Sequence, residues 1–417
     1  MDADFNTALD DITAHLTSER QVWLFGAGIS CCSGLPLMGT LTELVALRLE
    51  DSKDNTYSLF CQIRNQLPET SHIEHVLSQI GDLIALAERS RDGVTRIDNK
   101  DINSESLKEL HGNIRDAIQA IIRYGYHARN GDEEIRIACE SDKVVSVDLH
   151  QKFIKTLFAV REKPGRSQRP IQFFTLNYDT LLEDALAMER VAFVDGFSGG
   201  GMAFWSPQIS YSEWGVSHRI NAHVYKLHGS VDWHSDFQQG FVYRCRDGRS
   251  YPKRAGNVLI YPQSTKYLAT QKDPFAKLFE HFRSALTDNF GNVLAICGYS
   301  FGDEHVDLEI ESAMARSDSR TVIVAFVQEI ETDEGFQLPS RLIKWLSEKP
   351  WRGRVFAITS RGLYHGSLNN LCEIPRTFDW WTFEGVTKFL SDGPQQIKPI
   401  PDSNDETSNV VGTEETQ

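Results

Sequence analysis

An amide and a carboxylate, Asn177 and Asp179, follow the apolar run Phe173-Phe174-Thr175-Leu176, and a histidine, His228, follows Val224-Tyr225-Lys226-Leu227. A third apolar run, Val22-Trp23-Leu24-Phe25, stops at Gly26-Ala27-Gly28-Ile29-Ser30. Each reads as a buried strand of a parallel α/β sheet, the architecture that delivers side chains to a ligand crevice at strand ends. Three strand ends then offer a phosphate cradle, an Asn/Asp pair and an imidazole, a group that as a class titrates near neutrality and serves as general acid or base. Each piece also has a plainer use. Asn177 could cap a helix starting at Thr180, and His228 could be a satisfied structural histidine. Gly26 and Gly28 allow a tight turn and close backbone approach, with the following helix start turned towards a pyrophosphate. The dinucleotide fingerprint, however, wants a third glycine where Cys31 stands, and an acid ending a second strand where Glu43 and Glu50 lie in a helical pattern. A hydride-transferring dehydrogenase is a poor fit.

These groups need a scaffold. The pattern predicts a helix over Phe5 to Leu16, a first strand at Val22 to Phe25, and a helix from near Leu37 through Leu41, Leu44, Val45 and Leu49. Residues 50 to 170 carry helical patterns and few strand signals, and Leu107, Leu110, Ile114, Ile118 and Ile121 form a stripe that must face a core or a partner. This is a helical insertion between the first and second strands of the sheet, able to cap a pocket, build an oligomer surface, or both. After Asn177 come a helix (Leu181 to Met188), a Gly-rich stretch (Gly196 to Gly201) that reads as a mobile or plain surface loop, and strands at Val258 to Tyr261, Val293 to Cys297 and Thr321 to Val327. The expected class is α/β, a Rossmann-like parallel sheet with a large helical insertion. Residues 1 to 330 are expected to form the main domain, the one that carries these strand ends. Residues 331 to 390, with Trp345, Trp351, Trp380 and Trp381, are an appended element, and the acidic stretch 391 to 417 has almost nothing to bury and reads as a disordered tail.

Composition narrows the function. The chain has 417 residues, enough for one large or two ordinary domains, and a formal net charge of −15, which argues against broad contact with nucleic acid or an anionic membrane. The basic segment Arg161 to Arg169 is broken by Pro and Gly and reads as a surface loop. Seven cysteines contain no Cys-x-x-Cys pair, so neither a zinc ribbon nor a disulfide framework is expected, and Cys297 reads as core. His72, Glu74 and His75 match no standard zinc spacing and read as a solvated helix face. Asp303, Glu304 and His305 read as a helix start. With no apolar leader and no long apolar run, cytoplasmic residence is the default expectation.

Taken in order, Gly26-Ala27-Gly28-Ile29-Ser30 with Ser33-Gly34-Leu35-Pro36, Thr175-x-Asn177-x-Asp179 and Lys226-Leu227-His228-Gly229 resemble the sirtuin superfamily, specifically its sirtuin-like prokaryotic branch. Ile73-Glu74-His75-Val76-Leu77 and Gly298-Tyr299-Ser300-Phe301-Gly302-Asp303-Glu304-His305 extend the resemblance across about residues 20 to 330. The departures matter equally. The zinc cysteines of deacylating sirtuins are missing, Pro36 is followed by Leu37-Met38-Gly39 instead of Asp-Phe-Arg, and no adenosine-contacting Asn is evident near Phe326. What remains resembles the sirtuin-like NAD hydrolases of bacterial antiphage defence.

That resemblance implies NAD as substrate, cleaved to nicotinamide and ADP-ribose, with no metal. It implies Asn177 orienting the ribose and the attacking water, and His228 as general base. Ser30 and Asp179 would hold the carboxamide, Gly26, Ala27 and Gly28 would meet the pyrophosphate, and Gly298 and Ser300 would face the adenosine. A toxic activity needs restraint, so a homo-oligomer and a HerA-like hexameric ATPase partner are the implied assemblies. Two alternatives stay open: an NAD-dependent protein deacylase or ADP-ribosyltransferase, and a sensor that binds NAD or ADP-ribose without turnover.

Overall fold

The apolar runs at Val22, Phe173 and Val224 do become neighbouring parallel strands. The computed structural model describes residues 3–51, 56–129, 134–162, 169–206, 220–235, 241–246, 257–260, 274–287, 291–333, 335–372 and 377–393. They fall into two compact units, one made of Val22–Lys155 and Ser167–Ala285, the other of Met1–Gln21, Thr156–Arg166 and Leu286–Gln417. The class is α/β and Rossmann-like.

In the first unit, β1 (Gln21–Phe25), β2 (Ile171–Thr175) and β3 (Phe193–Val194) belong with a later strand, Ala222–Lys226, to one parallel ladder. Both faces are covered, which is why the strands read as unbroken apolar runs. Phe153 meets Trp23 and Phe25 edge-on at 5.2 and 5.7 Å, and Phe174 stacks on Tyr225 at 4.5 Å.

After β3 come β4 (Phe197–Gly199), β5 (Met202–Trp205), β6 (Ala222–Lys226, the ladder strand just mentioned), β7 (Gly229–Ser235), β8 (Val242–Cys245) and β9 (Asn257–Ile260). A second, antiparallel sheet takes the order β9-β7-β8-β5-β4. The glycine stretch 196–201 is therefore corrected from loop to hairpin: β4 pairs with β5, and a Cβ on Gly199 (φ +135) would stand 2.7 Å from the Met202 carbonyl oxygen. Phe197 anchors it between Trp205 and Trp233.

The insertion between β1 and β2 holds helices Met38–Asp51, Thr56–Arg64, Ile73–Arg89 and Ser104–Tyr124, which share one core. The stripe Leu107, Leu110, Ile114, Ile118 and Ile121 is buried in it. Asn103 caps the last helix by accepting from the Ser106 N–H at 2.8 Å, and Gly125 (φ +82) ends it. Strand content exceeds expectation here: Val94–Ile97 pairs with Lys100–Asn103, turning through Asp98 and Asn99, both left-handed, and Tyr126–His127 pairs with Arg136–Ile137.

In the second unit β10 (Val293–Cys297), β11 (Val322–Val327) and β12 (Val355–Thr359) run parallel, and β13 (Gly362–His365) returns antiparallel to β12. Residues beyond 331 thus supply strands as well as the buried Trp345 and Trp380. Asp303 starts the helix Glu304–Ala315 by accepting from the N–H groups of His305 and Val306, as the acidic cluster there suggests. Of the basic segment, Arg161 is buried at the end of the helix Asp148–Arg161 and donates to the Glu19 carbonyl, while 163–168 lie outside the described residues. So does the expected tail from residue 394 onward, and Tyr261 of the expected Val258 strand.

Candidate active site

Register brings the three strand ends level. Phe25 pairs with Thr175, and Thr175 pairs with Lys226. The ladder runs one step further, with Leu176 N–H donating to Phe25 O at 3.0 Å and Leu227 N–H to Thr175 O at 2.9 Å. The glycine turn, the Asn-Tyr-Asp segment and the Leu-His turn therefore leave the same edge of adjacent strands.

His228 sits in the tight turn by which the chain passes from β6 in the parallel sheet to β7 in the antiparallel one, and Gly229 (φ +86) makes the reversal possible. The turn is fastened to the segment bearing Asn177. Leu227 binds Thr175, and beyond His228 both Val231 N–H (2.9 Å) and Ser230 Oγ (3.2 Å) donate to Tyr178 O. Imidazole and amide are thus carried on two stretches stitched together on either side of them.

Asn177, Asp179 and Ser30 form a buried chain. Ser30 Oγ donates to Asp179 Oδ2 at 2.8 Å, Asn177 Nδ2 donates to Ser30 Oγ at 3.0 Å, and Asp179 Oδ1 accepts from Leu181 N–H at 3.0 Å. The directions are forced. A carboxylate only accepts, so the Ser30 proton goes to Asp179, and Ser30 must then accept from the amide NH₂ of Asn177. That orientation leaves Asn177 Oδ1 buried with no hydrogen-bond partner among the described residues. Asn177 does not cap the helix Leu181–Met188. Asp179 does, through its bond to Leu181, so the capping use belongs to the carboxylate.

Ala27 and Gly28 open a helix of one turn, Gly28–Cys31, in which Ile29 and Ser30 N–H already bond back to Gly26 and Ala27. The long dipole anticipated there begins only at Met38. Neither Gly26 nor Gly28 has a left-handed φ; the left-handed glycine of this loop is Gly34 (φ +86), whose Cβ would lie 3.0 Å from Val144 Cγ1. Gly298 (φ +67) and the exposed Ser300 end β10 in the other unit, next to Phe301, a bulky residue held at φ +59.

Several groups at the site escaped sequence reasoning. Glu74 is not a solvated bystander: its carboxylate accepts from Tyr178 Oη at 2.7 Å, tying the insertion to the residue between Asn177 and Asp179. His72 and His75 are used locally, His75 Nδ1 accepting from His72 N–H at 3.2 Å at the start of their helix. Lys226, 2% exposed, donates to the Asp179 carbonyl and lies 3.5 Å from the equally buried Glu183. Burial drives the Glu183 carboxyl upward against the pull of Lys226. His150 is fully buried 3.3 Å from Ser33 Oγ, and burial pushes its imidazole down to about 4 against the opposing charge of Asp179. A lysine inside an otherwise apolar strand run was the one signal in the sequence that could have exposed this layer.

Among the described residues no three His, Cys, Asp or Glu side chains converge as a metal site, and no helix is long and apolar enough to cross a membrane. Comparison with curated proteins gives no significant match. Residues 172–348, less than half of the 417-residue chain, match the family model of the SIR2-like domain, a segment that carries Asn177, Asp179, His228, Gly298 and Ser300. The match supports a place for this chain in the sirtuin-like superfamily and, with it, a function tied to NAD.

Proposed function

We propose that the protein is an NAD glycohydrolase, which cleaves NAD to nicotinamide and ADP-ribose. The observation that carries this reading is the orphaned acceptor of Asn177: a buried amide oxygen with no partner costs about 1–3 kcal/mol unless something donates to it. A ribose hydroxyl or the attacking water is such a donor. The SIR2-like match supports NAD as the dinucleotide that carries that ribose.

In this reading the bond between the anomeric carbon and nicotinamide breaks with its electron pair leaving on the nicotinamide nitrogen, and positive charge grows on the ribose. The Ser30–Asp179 chain locks the Asn177 amide so that its oxygen faces the sugar or the water. Water adds its oxygen to the anomeric carbon and gives up a proton, and His228, on the neighbouring strand end, is the base to receive it. Ser30 and Asp179 thus serve Asn177 first. Any hold on the carboxamide would fall to their remaining lone pairs and to backbone.

The proposal extends to a defence effector acting by NAD depletion, restrained by assembly with further copies or with a HerA-like ATPase. The insertion suits control of this kind because it grips the site at Glu74–Tyr178 and at Gln119, whose Nε2 donates to the Val231 carbonyl at 3.0 Å. The test is consumption of NAD by purified protein, alone and with candidate partners, alongside Asn177→Ala and His228→Ala. Release of nicotinamide by the wild type and its loss in both variants is expected. Undiminished turnover in both refutes the assignment, deacylation of an acyl-lysine peptide points to the deacylase, and binding without turnover points to the sensor.

A further inference from the structure

We infer that Lys226 is a positioning residue for this reaction, an inference that rests on the glycohydrolase reading. Its ammonium is among the most thoroughly buried groups in the protein, and its counter-ion Glu183, on the helix that follows Asp179, is equally buried. Stability does not explain such a pair, because well-packed apolar residues of similar volume are commonly as stable or more so. What an ammonium supplies and a methionine does not is a donor, and this one is spent on the main-chain carbonyl of Asp179.

That carbonyl is the point from which the site is held. The side chain of Asp179 is fixed by Ser30 and by Leu181 N–H, and Ser30 in turn fixes the Asn177 amide. The preceding carbonyl, Tyr178 O, is taken by Ser230 and Val231. Two successive carbonyls of the Asn-Tyr-Asp turn, those of Tyr178 and Asp179, are therefore captured by the stretch 226–231, which carries His228 between its two gripping points. One segment of chain presents the imidazole and sets the angle of the amide. Lys226 touches no substrate in this account; it acts through Asp179 and Asn177.

The experiment replaces the pair together, Lys226→Met with Glu183→Gln, because removing Lys226 alone strands a buried carboxylate and threatens the fold. The double variant should melt within a few degrees of the wild type and keep its KM within about twofold, while kcat falls by about tenfold to a hundredfold, the loss expected from a misplaced catalytic group. Its crystal structure should show the 3.0 Å contact between Asn177 Nδ2 and Ser30 Oγ opened. An unchanged kcat overturns the inference, and so does a reduced kcat with that contact intact. Asn177→Ala run alongside separates the two levels. If the wild type and Asn177→Ala are equally inactive on NAD, the functional reading fails, and the contact in the double variant alone decides whether Lys226 positions the amide.

Discussion

Replacing Ser30 with alanine probes the site at its hinge. Ser30 is 2% exposed, and its hydroxyl serves two neighbours at once, donating to Asp179 at 2.8 Å and accepting from Asn177 at 3.0 Å. The alanine variant leaves a carboxylate oxygen of the buried Asp179 and an amide N–H of the buried Asn177 without the partner that Ser30 supplies. Each stranded group costs about 1–3 kcal/mol, with the carboxylate towards the upper end, and a single water entering the gap recovers part, so the net loss is about 2–4 kcal/mol. The functional loss should be larger in relative terms: the amide is no longer locked and can rotate its NH₂ towards the sugar, which lowers kcat by about a hundredfold with little change in KM. Urea unfolding of the two proteins measures the first quantity and initial rates of nicotinamide release measure the second. Ser347→Ala, at an exposed helical position, provides the baseline and should shift stability by no more than about 0.5 kcal/mol. A Ser30→Ala protein as stable as that control, turning over at the wild-type rate, refutes the forced hydrogen-bond directions from which the Asn177 assignment follows.

Other outcomes follow from the same geometry. Tyr178→Phe deletes the bond to Glu74 and should cost about 1 kcal/mol in urea unfolding while lowering kcat; no change in either shows that the insertion does not steady the turn. For His150, burial lowers the folded-state value from 6.5 to about 4, so the unfolded chain takes up a proton that the folded one refuses, and stability is lost as pH falls from 6.5 towards 4. The full contribution is at most about 3 kcal/mol, and the slope of stability against pH over this window should flatten in His150→Gln; an unchanged slope contradicts it. Cys297 is buried and burial raises its thiol, so iodoacetamide should label the exposed Cys32 and Cys139 in the native protein and Cys297 only after unfolding, which peptide mass mapping would show.

The sequence disclosed the strands whose two faces are both buried, because only there does burial write a continuous apolar run. Val22 to Phe25, Phe173 to Thr175 and Val293 to Cys297 are of this kind, and the heptad-like stripe on Ser104–Tyr124 was legible for the parallel reason in a helix. Of the antiparallel sheet only the strand at Val258 was legible, since Phe197 to Trp205 is interrupted by glycines that serve as hairpin geometry and resemble a loop in one dimension. The Asp98-Asn99 turn was in principle readable, a pair tolerant of left-handed φ between two short strands, but those strands bury only Ile97 fully and leave little apolar signature. At the site, Asn177, Asp179, Ser30 and His228 stood out as chemistry-bearing residues at strand ends. Their mutual hydrogen bonds, and the roles of Lys226, Glu74 and His150, depend on register and on contacts between residues far apart in the chain, from 47 positions for Lys226–Asp179 to 149 for Ser30–Asp179, which no local pattern records.

The most direct test of the central claim follows the fate of water. Purified protein, with a partner where one is required, is incubated with NAD in heavy-oxygen water, and the products are weighed by mass spectrometry. An amide and imidazole that deliver water to the ribose predict nicotinamide and ADP-ribose in equal amounts, one heavy oxygen in each ADP-ribose, and neither product from Asn177→Ala. Intact NAD under every condition, or ADP-ribose formed at the same rate by Asn177→Ala, contradicts it.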